Sequence, residues 1–237
     1  MKWHYYLAWF GIKNVFSFFK MGKSSGLENI PENGGVIIAS NHISYFDPPI
    51  LGSYIPREIY YLAKWELFKF KIFGSFLRSV NAIPIKRKVI DRQALIESLE
   101  VLKQEKALLV FPEGTRNLRA KLLPPKLGVG KLALEAGVPI VPAHIANSQK
   151  PTRAFLSGKP IEVKFGPPIP KSWLEQIPKD KEGYKSVVAE IMQRITKTRT
   201  ETLKKHPKIA GKISLALKKR YATNPKIKLL ISKRMKE

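Results

Sequence analysis

A histidine and an aspartate stand five positions apart in the segment NHISYFD at residues 41–47. The apolar run at 36–39 has the length of a buried strand, so a loop after that strand must bring the two side chains together. A carboxylate that accepts a hydrogen bond from one ring nitrogen fixes the tautomer of an imidazole, and the other nitrogen can then take a proton from a hydroxyl. His42 and Asp47 are therefore candidates for a general base and its orienting partner. For this pair by itself, the alternative is a loop histidine beside a helix-capping Asp47.

A second group of specialised residues, FPEGTR at 111–116, follows another apolar run. It would also lie at the carboxyl end of a strand, where α/β domains gather their ligands. Gly114 permits close approach of the backbone, Thr115 supplies a hydroxyl, and Arg116 supplies a two-pronged donor for phosphate. Glu113 would pair with that cation or bind a substrate hydroxyl. The alternative is a tight turn with a surface ion pair.

Short apolar runs alternate with helical patterns along the chain. The runs of strand length are at 36–39, 59–63, 82–85, 107–111, 139–143 and 161–165. The clearest helix is predicted over residues 91–106, where leucines recur at spacings of four and three. Another is predicted over residues 127–136, closed by Gly137. This alternation predicts an α/β fold with a mixed, largely parallel sheet flanked by helices.

The beginning of the chain predicts an amphipathic helix that lies in a membrane interface. Its longest uncharged run, residues 3–12, is about half of the length that a membrane-spanning helix needs. Lys13, Ser17 and Lys20 would form a narrow polar stripe among aromatic side chains. The alternative is a helix packed on the core of the protein.

We therefore divide the chain into three segments. Residues 1–34 form the aromatic-rich, membrane-anchoring segment, 35–202 the α/β domain, and 203–237 a basic helical tail. Gly22-Lys23-Ser24 lacks the upstream glycine of a phosphate-binding loop and predicts a turn in the first boundary region. For the tail, binding to a membrane surface and a solvated basic tail are both open.

Charge and composition narrow the classes of function. The 43 Lys and Arg residues exceed the 18 Asp and Glu residues, so that the net charge is +25 over 237 residues. Such a charge implies a polyanionic neighbour, either nucleic acid or an anionic membrane surface. The absence of cysteine excludes disulfides, thiolate metal ligands and a cysteine nucleophile. Because the four histidines are dispersed along the chain, no metal site is predicted.

The segments NHISYFD, FPEGTRN and VPIVPA, in this order and spacing, resemble the glycerolipid acyltransferases, specifically the 1-acyl-sn-glycerol-3-phosphate (lysophosphatidic acid) acyltransferases. The resemblance covers about residues 35–168. It implies that His42 and Asp47 are catalytic. It also implies that the acceptor's glycerol phosphate is bound by four residues, which are Glu113, Gly114, Thr115 and Arg116.

A further motif of that family ends in a phosphate-binding arginine, and here it reads NAIPIKR at 81–87. The resemblance thus assigns Arg87 to phosphate binding. The family's leading glycine is replaced by Asn81, a residue that tolerates a left-handed backbone. Pro84 predicts that this strand lies at an edge of the sheet or carries a bulge.

The implied reaction moves a fatty acyl group from acyl-CoA or acyl carrier protein to the sn-2 hydroxyl of lysophosphatidic acid and yields phosphatidic acid, with no cofactor beyond the acyl donor. The partners are these substrates and an anionic phospholipid membrane. We expect a monotopic protein at the cytoplasmic face of the cell membrane. An acyltransferase for glycerol 3-phosphate or another lysophospholipid is the main alternative. A nucleic-acid-binding protein that uses the basic, aromatic stretch 60–88 would explain the charge but neither motif.

Overall fold

A computed structural model describes residues 10–11, 22–87, 91–117, 122–150 and 160–203 of the protein. In these residues one sheet of seven strands runs through the molecule. The strands are β1 (Gly22–Ser25), β2 (Val36–Ser40), β3 (Ile59–Lys64), β4 (Ala82–Ile85), β5 (Ala107–Val110), β6 (Ile140–Ala146) and β7 (Ile161–Phe165). Their order across the sheet is β1-β7-β6-β2-β5-β3-β4. Each predicted strand is therefore present, with small shifts of its ends.

The pairing of the strands confirms the predicted mixed, largely parallel sheet. Of the pairings between two strands in the described chain, only that between β6 and β7 is antiparallel. All five residues of the central strand β2 are buried, which explains why its sequence is continuously apolar up to Ser40. Strands of a parallel sheet that is covered on both faces have this pattern.

Helices cover both faces of the sheet. They are α1 (Asp47–Tyr54), α2 (Lys71–Ser79), α3 (Arg92–Lys103), α4 (Leu127–Ala136), α5 (Lys171–Leu174) and α6 (Lys181–Leu203), with 3-10 turns at Leu27–Asn29 and Trp65–Lys69. Ile50 and Leu51 of α1 pack on one face, together with Ile38. Val101 of α3 and Ile191 of α6 pack on the other face. The sheet thus separates two apolar layers.

The two predicted helices are confirmed, although α3 ends at Lys103, three residues before its predicted end. The side chain of Asp91 accepts a hydrogen bond from the Ala94 N–H at 3.2 Å, and this cap starts α3. Gly137 has a φ of 58° and closes α4. The sequence patterns did not identify α2 and α6.

The turn predicted at Gly22-Lys23-Ser24 was wrong, because these residues belong to the edge strand β1. β1 pairs in parallel with β7, from Gly22 opposite Ile161 to Ser25 opposite Lys164. The backbone hydrogen bonds of this pairing stabilise an extended segment that its turn-forming residues did not predict. The sheet therefore extends to the N-terminal side of residue 35, where the domain was predicted to begin.

The predicted membrane-anchoring helix and the basic tail lie almost entirely outside the described residues, and the division into three segments stays a prediction. Within the described ranges, no helix is both long enough and apolar enough to cross a bilayer.

Candidate active site

Parallel strands bring the predicted site residues to one edge of the sheet. Ala39 of β2 is in register with Val110 of β5, and Lys64 of β3 is in register with Ile85 of β4. The carboxyl ends of these strands therefore lie side by side. His42 follows β2, Arg87 follows β4, and the FPEGTR segment follows β5, so the three motifs meet although the chain separates them by tens of residues.

The first motif forms a hydrogen-bonded pair of imidazole and carboxylate. His42 Nδ1 lies 2.8 Å from Asp47 Oδ2. The same carboxylate oxygen accepts the backbone N–H groups of Ile43 at 2.6 Å and Ser44 at 2.8 Å. The loop therefore folds around the carboxylate, and Asp47 also begins α1. With Nδ1 on the carboxylate, Nε2 is the ring nitrogen left for a substrate.

A buried serine outside the motifs completes the environment of the carboxylate. Ser148 Oγ donates to Asp47 Oδ1 at 2.5 Å, and both residues are fully buried. Ser148 lies just after β6, a further strand whose carboxyl end reaches this edge. Ser148 was not predicted as a site residue, because a single serine outside a motif does not indicate a function. Its position after a predicted strand is the one feature of the sequence that could have identified it.

The loops after β2, β5 and β6 are joined by direct contacts. The His42 ring stacks on Phe111 with centroids 4.0 Å apart, and the Asn117 N–H donates to the His42 carbonyl at 2.7 Å. The Asn41 side chain exchanges two hydrogen bonds with the backbone of Ile145. The imidazole is therefore held from several sides and is only 7% exposed. Such packing fixes its orientation before a substrate binds.

Glu113 points into the protein, and in the described structure it forms no ion pair with Arg116. Its Oε2 accepts from the Asn117 amide at 3.2 Å and from the Leu123 N–H at 2.7 Å. Its Oε1 is buried without a hydrogen-bond partner in the described part of the chain. Burial raises the pKa of this carboxyl, and the hydrogen bonds partly oppose the shift. Of the two roles that the sequence left open, pairing with Arg116 is therefore not observed.

Gly114 shapes the turn of the second motif. Its φ is 66°, a left-handed conformation that glycine adopts without strain. Its N–H donates to the Phe111 carbonyl at 2.9 Å, so this donor is already used within the turn. The turn leaves the neighbouring Thr115 exposed.

Two arginines from different motifs face the same region. The Arg116 guanidinium lies 3.2 Å from the centre of the Tyr45 ring, which belongs to the His-x4-Asp loop. Desolvation lowers the pKa of Arg87; Glu66 opposes this shift, and repulsion by Arg116 adds to it. The two guanidiniums are therefore close enough to repel each other, which makes the space beside them favourable for an anion.

The structure confirms the two expectations for the strand that leads to Arg87. Asn81 has a φ of 67°, so the left-handed turn persists without glycine. Its side chain donates to Glu58 Oε1 at 3.0 Å. β4, which contains Pro84, is an edge strand of the sheet.

A buried charged region lies beneath the second motif. Arg199 of α6 is close enough to Glu113 for the two charges to interact, although desolvation still lowers the arginine pKa. The adjacent His144 is buried, and desolvation together with Arg199 lowers its pKa to about 3. His144 is therefore neutral near pH 7. Neither residue belongs to a sequence motif, and nothing in the sequence of the long helix indicated where Arg199 would lie.

In the described ranges, no three His, Asp or Glu side chains are grouped so that they could hold a metal ion.

Comparison with known proteins assigns the family. The family model described as Acyltransferase matches residues 23–146, just over half of the chain. The chain belongs to the acyltransferase family, and it is an enzyme. One relative of this acyltransferase is the 1-acyl-sn-glycerol-3-phosphate acyltransferase of Bacillus subtilis (strain 168), which is 31% identical over 71% of this chain and 83% of that protein. Another is the enzyme of the same name from Borreliella burgdorferi, 30% identical over 69% of this chain and 67% of that protein.

A solved acyltransferase shares the fold. The crystal structure of the 1-acyl-sn-glycerophosphate (LPA) acyltransferase PlsC from Thermotoga maritima matches with a TM-score of 0.62 and 25% identity, over 82% of this chain and 79% of that one. The likeness includes the mostly parallel sheet with flanking helices.

Proposed function

We propose that this acyltransferase transfers a fatty acyl group from acyl-CoA or acyl carrier protein to the sn-2 hydroxyl of 1-acyl-sn-glycerol 3-phosphate, giving phosphatidic acid. The observation that carries the proposal is an oriented imidazole at the same sheet edge as a pair of arginines, one of which lies on the Tyr45 ring of the His-x4-Asp loop. The first can activate a hydroxyl, and the second can hold a phosphate. The names of the relatives support this acceptor.

In the proposed mechanism, His42 is the general base. Nε2 removes the proton of the glycerol hydroxyl as its oxygen forms a bond to the thioester carbonyl carbon. The carbon–sulfur bond then breaks, and the imidazolium gives this proton to the leaving thiolate. Asp47 keeps Nδ1 protonated and stabilises the charge on the ring. Because a thiolate is a good leaving group, no covalent enzyme intermediate is needed.

The remaining site residues bind the acceptor. Arg87 and Arg116 hold the phosphate, and the exposed Thr115, which precedes Arg116 in the chain, supplies a hydroxyl. Glu113 Oε1, buried without a hydrogen-bond partner in the described part of the chain, would accept a hydrogen bond from the glycerol part once the surrounding loops open. Gly114 contributes the turn that presents the two residues after it.

The proposed acceptor and the charge of the protein both support a position at a membrane. The acceptor and the product are anionic lipids, and each basic residue near an anionic leaflet contributes about 1 kcal/mol of attraction. With a net charge of +25, the protein would bind the cytoplasmic leaflet without crossing it. Nucleic acid is not needed as a partner to explain this charge.

A panel of acceptors tests the proposed function. Purified protein is given labelled acyl-CoA or acyl carrier protein with lysophosphatidate, glycerol 3-phosphate or lysophosphatidylcholine. We expect the highest kcat/KM with lysophosphatidate, because it combines a phosphate dianion, which the choline lipid lacks, with an acyl chain, which glycerol 3-phosphate lacks. A clear preference for glycerol 3-phosphate or for the choline lipid would show that the proposed acceptor is wrong. No turnover with any combination of donor and acceptor would refute the proposed activity.

Ser148 supplies a prediction about the support of the catalytic pair. Ser148→Ala leaves the buried Asp47 Oδ1 without its donor, which destabilises this arrangement by about 1–3 kcal/mol. We expect kcat to fall about tenfold because the carboxylate orients the base, whereas the KM for lysophosphatidate stays within about twofold. Steady-state kinetics at a fixed thioester concentration measure both values.

The matched control is Ser98→Ala. Ser98 is also buried, and its hydroxyl donates to the Ala94 carbonyl inside α3, away from the site. A similar loss of kcat in both variants would mean that Ser148 acts only through general stability.

A further inference from the structure

Apolar side chains are exposed mainly in two segments that border the site. Of the eleven large apolar residues that are exposed in the described chain, seven belong to these segments. They are Tyr45 and Phe46 in the His-x4-Asp loop, and Trp65, Phe70, Ile72, Phe73 and Phe76 in the 3-10 turn and α2. An exposed apolar patch of this kind marks a contact surface.

Helix α2 uses only one side to pack on the protein. Leu77 packs against Ala63 and Ala82 at the edge of the sheet. Gly74 lies so close to the preceding turn that a Cβ at this position would meet the Phe68 carbonyl oxygen at 2.7 Å. Another side of the helix carries apolar residues into solvent, and Ile72 is 90% exposed. The apolar surface of α2 is therefore wider than the part that the protein buries.

Cations surround this exposed surface. Residues 60–88 contain seven Lys and Arg residues and a single acid, Glu66. Lys69 and Lys86 lie over the Trp65 ring, with Nζ 5.1 and 5.6 Å from its centre. Arg78 lies over the Phe68 ring at 5.2 Å. Aromatic rings capped by cations suit the headgroup layer of an anionic bilayer, where the rings meet acyl chains and the cations meet phosphates.

The same surface is continuous with the two arginines of the site. Lys86, whose Nζ lies 5.6 Å from the centre of the Trp65 ring, directly precedes Arg87 in the chain. Arg87 interacts in turn with Arg116, which stacks on the exposed Tyr45. Aromatic residues therefore stand on both sides of the cationic region.

We propose that the loop at Tyr45 and Phe46 and the exposed side of α2 enter the interface of an anionic membrane, and thereby set Arg87 and Arg116 at the depth of the lipid phosphates. This inference rests on the proposed function, because it names the route of the acceptor. A lysophosphatidate that stays in the leaflet reaches the arginines with its headgroup, so its acyl chain need not leave the bilayer. The occupant of the α2 surface is then lipid, and not a segment of the protein.

A fluorescent label tests this placement directly. Because the chain has no cysteine, Ile72→Cys in the full-length protein can carry one environment-sensitive thiol dye. Ile96→Cys is the matched control, since Ile96 on α3 is 60% exposed and lies outside the patch. The probe is a vesicle of phosphatidylcholine with about one-third phosphatidylglycerol. We expect the label at position 72 to shift to shorter wavelength and to become protected from iodide, and the label at position 96 to remain in water.

Three results would overturn the placement. One is a label at position 72 that stays accessible to iodide on vesicle-bound protein. Another is a label that is already shielded from iodide before vesicles are added, which would mean that another part of the chain covers the exposed side of α2. The third is an absence of vesicle binding. None of these readouts depends on acyl transfer, so a failure of the proposed reaction would be seen separately.

Activity gives a second measurement. Ile72→Glu should lower the bound fraction, and with it the turnover of vesicle-embedded lysophosphatidate, about tenfold. Turnover of a short-chain, monomeric lysophosphatidate should stay within about twofold of the unmodified protein, and Ile96→Glu should change neither rate. Equal losses on both acceptors would show that α2 affects the site itself and would contradict the membrane role.

Discussion

His42→Ala is expected to lower kcat for acyl transfer by about a hundredfold to ten-thousandfold, the range that a positioned general base contributes. The imidazole is held in place by the 2.8 Å contact with Asp47 and by stacking on Phe111, and alanine has no basic nitrogen to replace it. The KM for lysophosphatidate should change little, since the proposed phosphate ligands, Arg87 and Arg116, are untouched. Release of the thiol from acyl-CoA, measured with and without acceptor, gives these values.

Loss of folding must be separated from loss of the base. The His42 ring is buried against Phe111, so the alanine variant loses packing as well as chemistry. His42→Gln keeps a hydrogen-bond donor and more of the volume, but it has no basic nitrogen. Equal inactivity in both variants, with melting temperatures near that of the unmodified protein, would support the base. Turnover by either variant within about tenfold of normal would refute it.

Arg116→Ala is expected to raise the KM for lysophosphatidate by about ten- to a hundredfold, because a guanidinium that binds phosphate contributes about 1.5–3 kcal/mol. Arg116 lies on the Tyr45 ring and close to Arg87, and therefore contributes to the cationic region directly. The kcat at saturating acceptor should fall much less, since His42 and Asp47 are untouched. Initial rates over a range of acceptor concentrations distinguish the two parameters.

The control for charge is Arg92→Ala. Arg92 is an exposed arginine in the first turn of α3, and its removal changes the net charge of the protein by the same amount. If both variants raise the KM equally, the increase comes from the change in the net charge of the protein and not from a contact made by Arg116. An unchanged KM in the Arg116 variant would remove this residue from the binding site.

Much of the site could be predicted from sequence because its motifs are local. Within each motif, His-x4-Asp or FPEGTR, the reactive residues lie within a few positions of the apolar run before them, and this is enough to place reactive groups after strands. The resemblance to acyltransferases then assigned roles to His42 and Arg116, which remain proposals. The hydrogen-bond partners of Glu113 were not predictable from sequence. Asn117 and Leu123 reach its carboxylate only because of the way the loop folds.

The sequence by itself determined the family, six of the seven strands, the start of α3, both ends of α4, and the two loops that carry the candidate chemistry. Each of these depends on residues that are neighbours in the chain, as with the Asp91 cap. The tertiary structure decided which side chains meet. Ser148 lies 101 positions from the carboxylate that it binds, β1 exists only through its pairing with β7, and the free side of α2 depends on what the sheet edge covers. Contacts between distant segments are fixed by burying the whole sheet at once, and no local pattern records them.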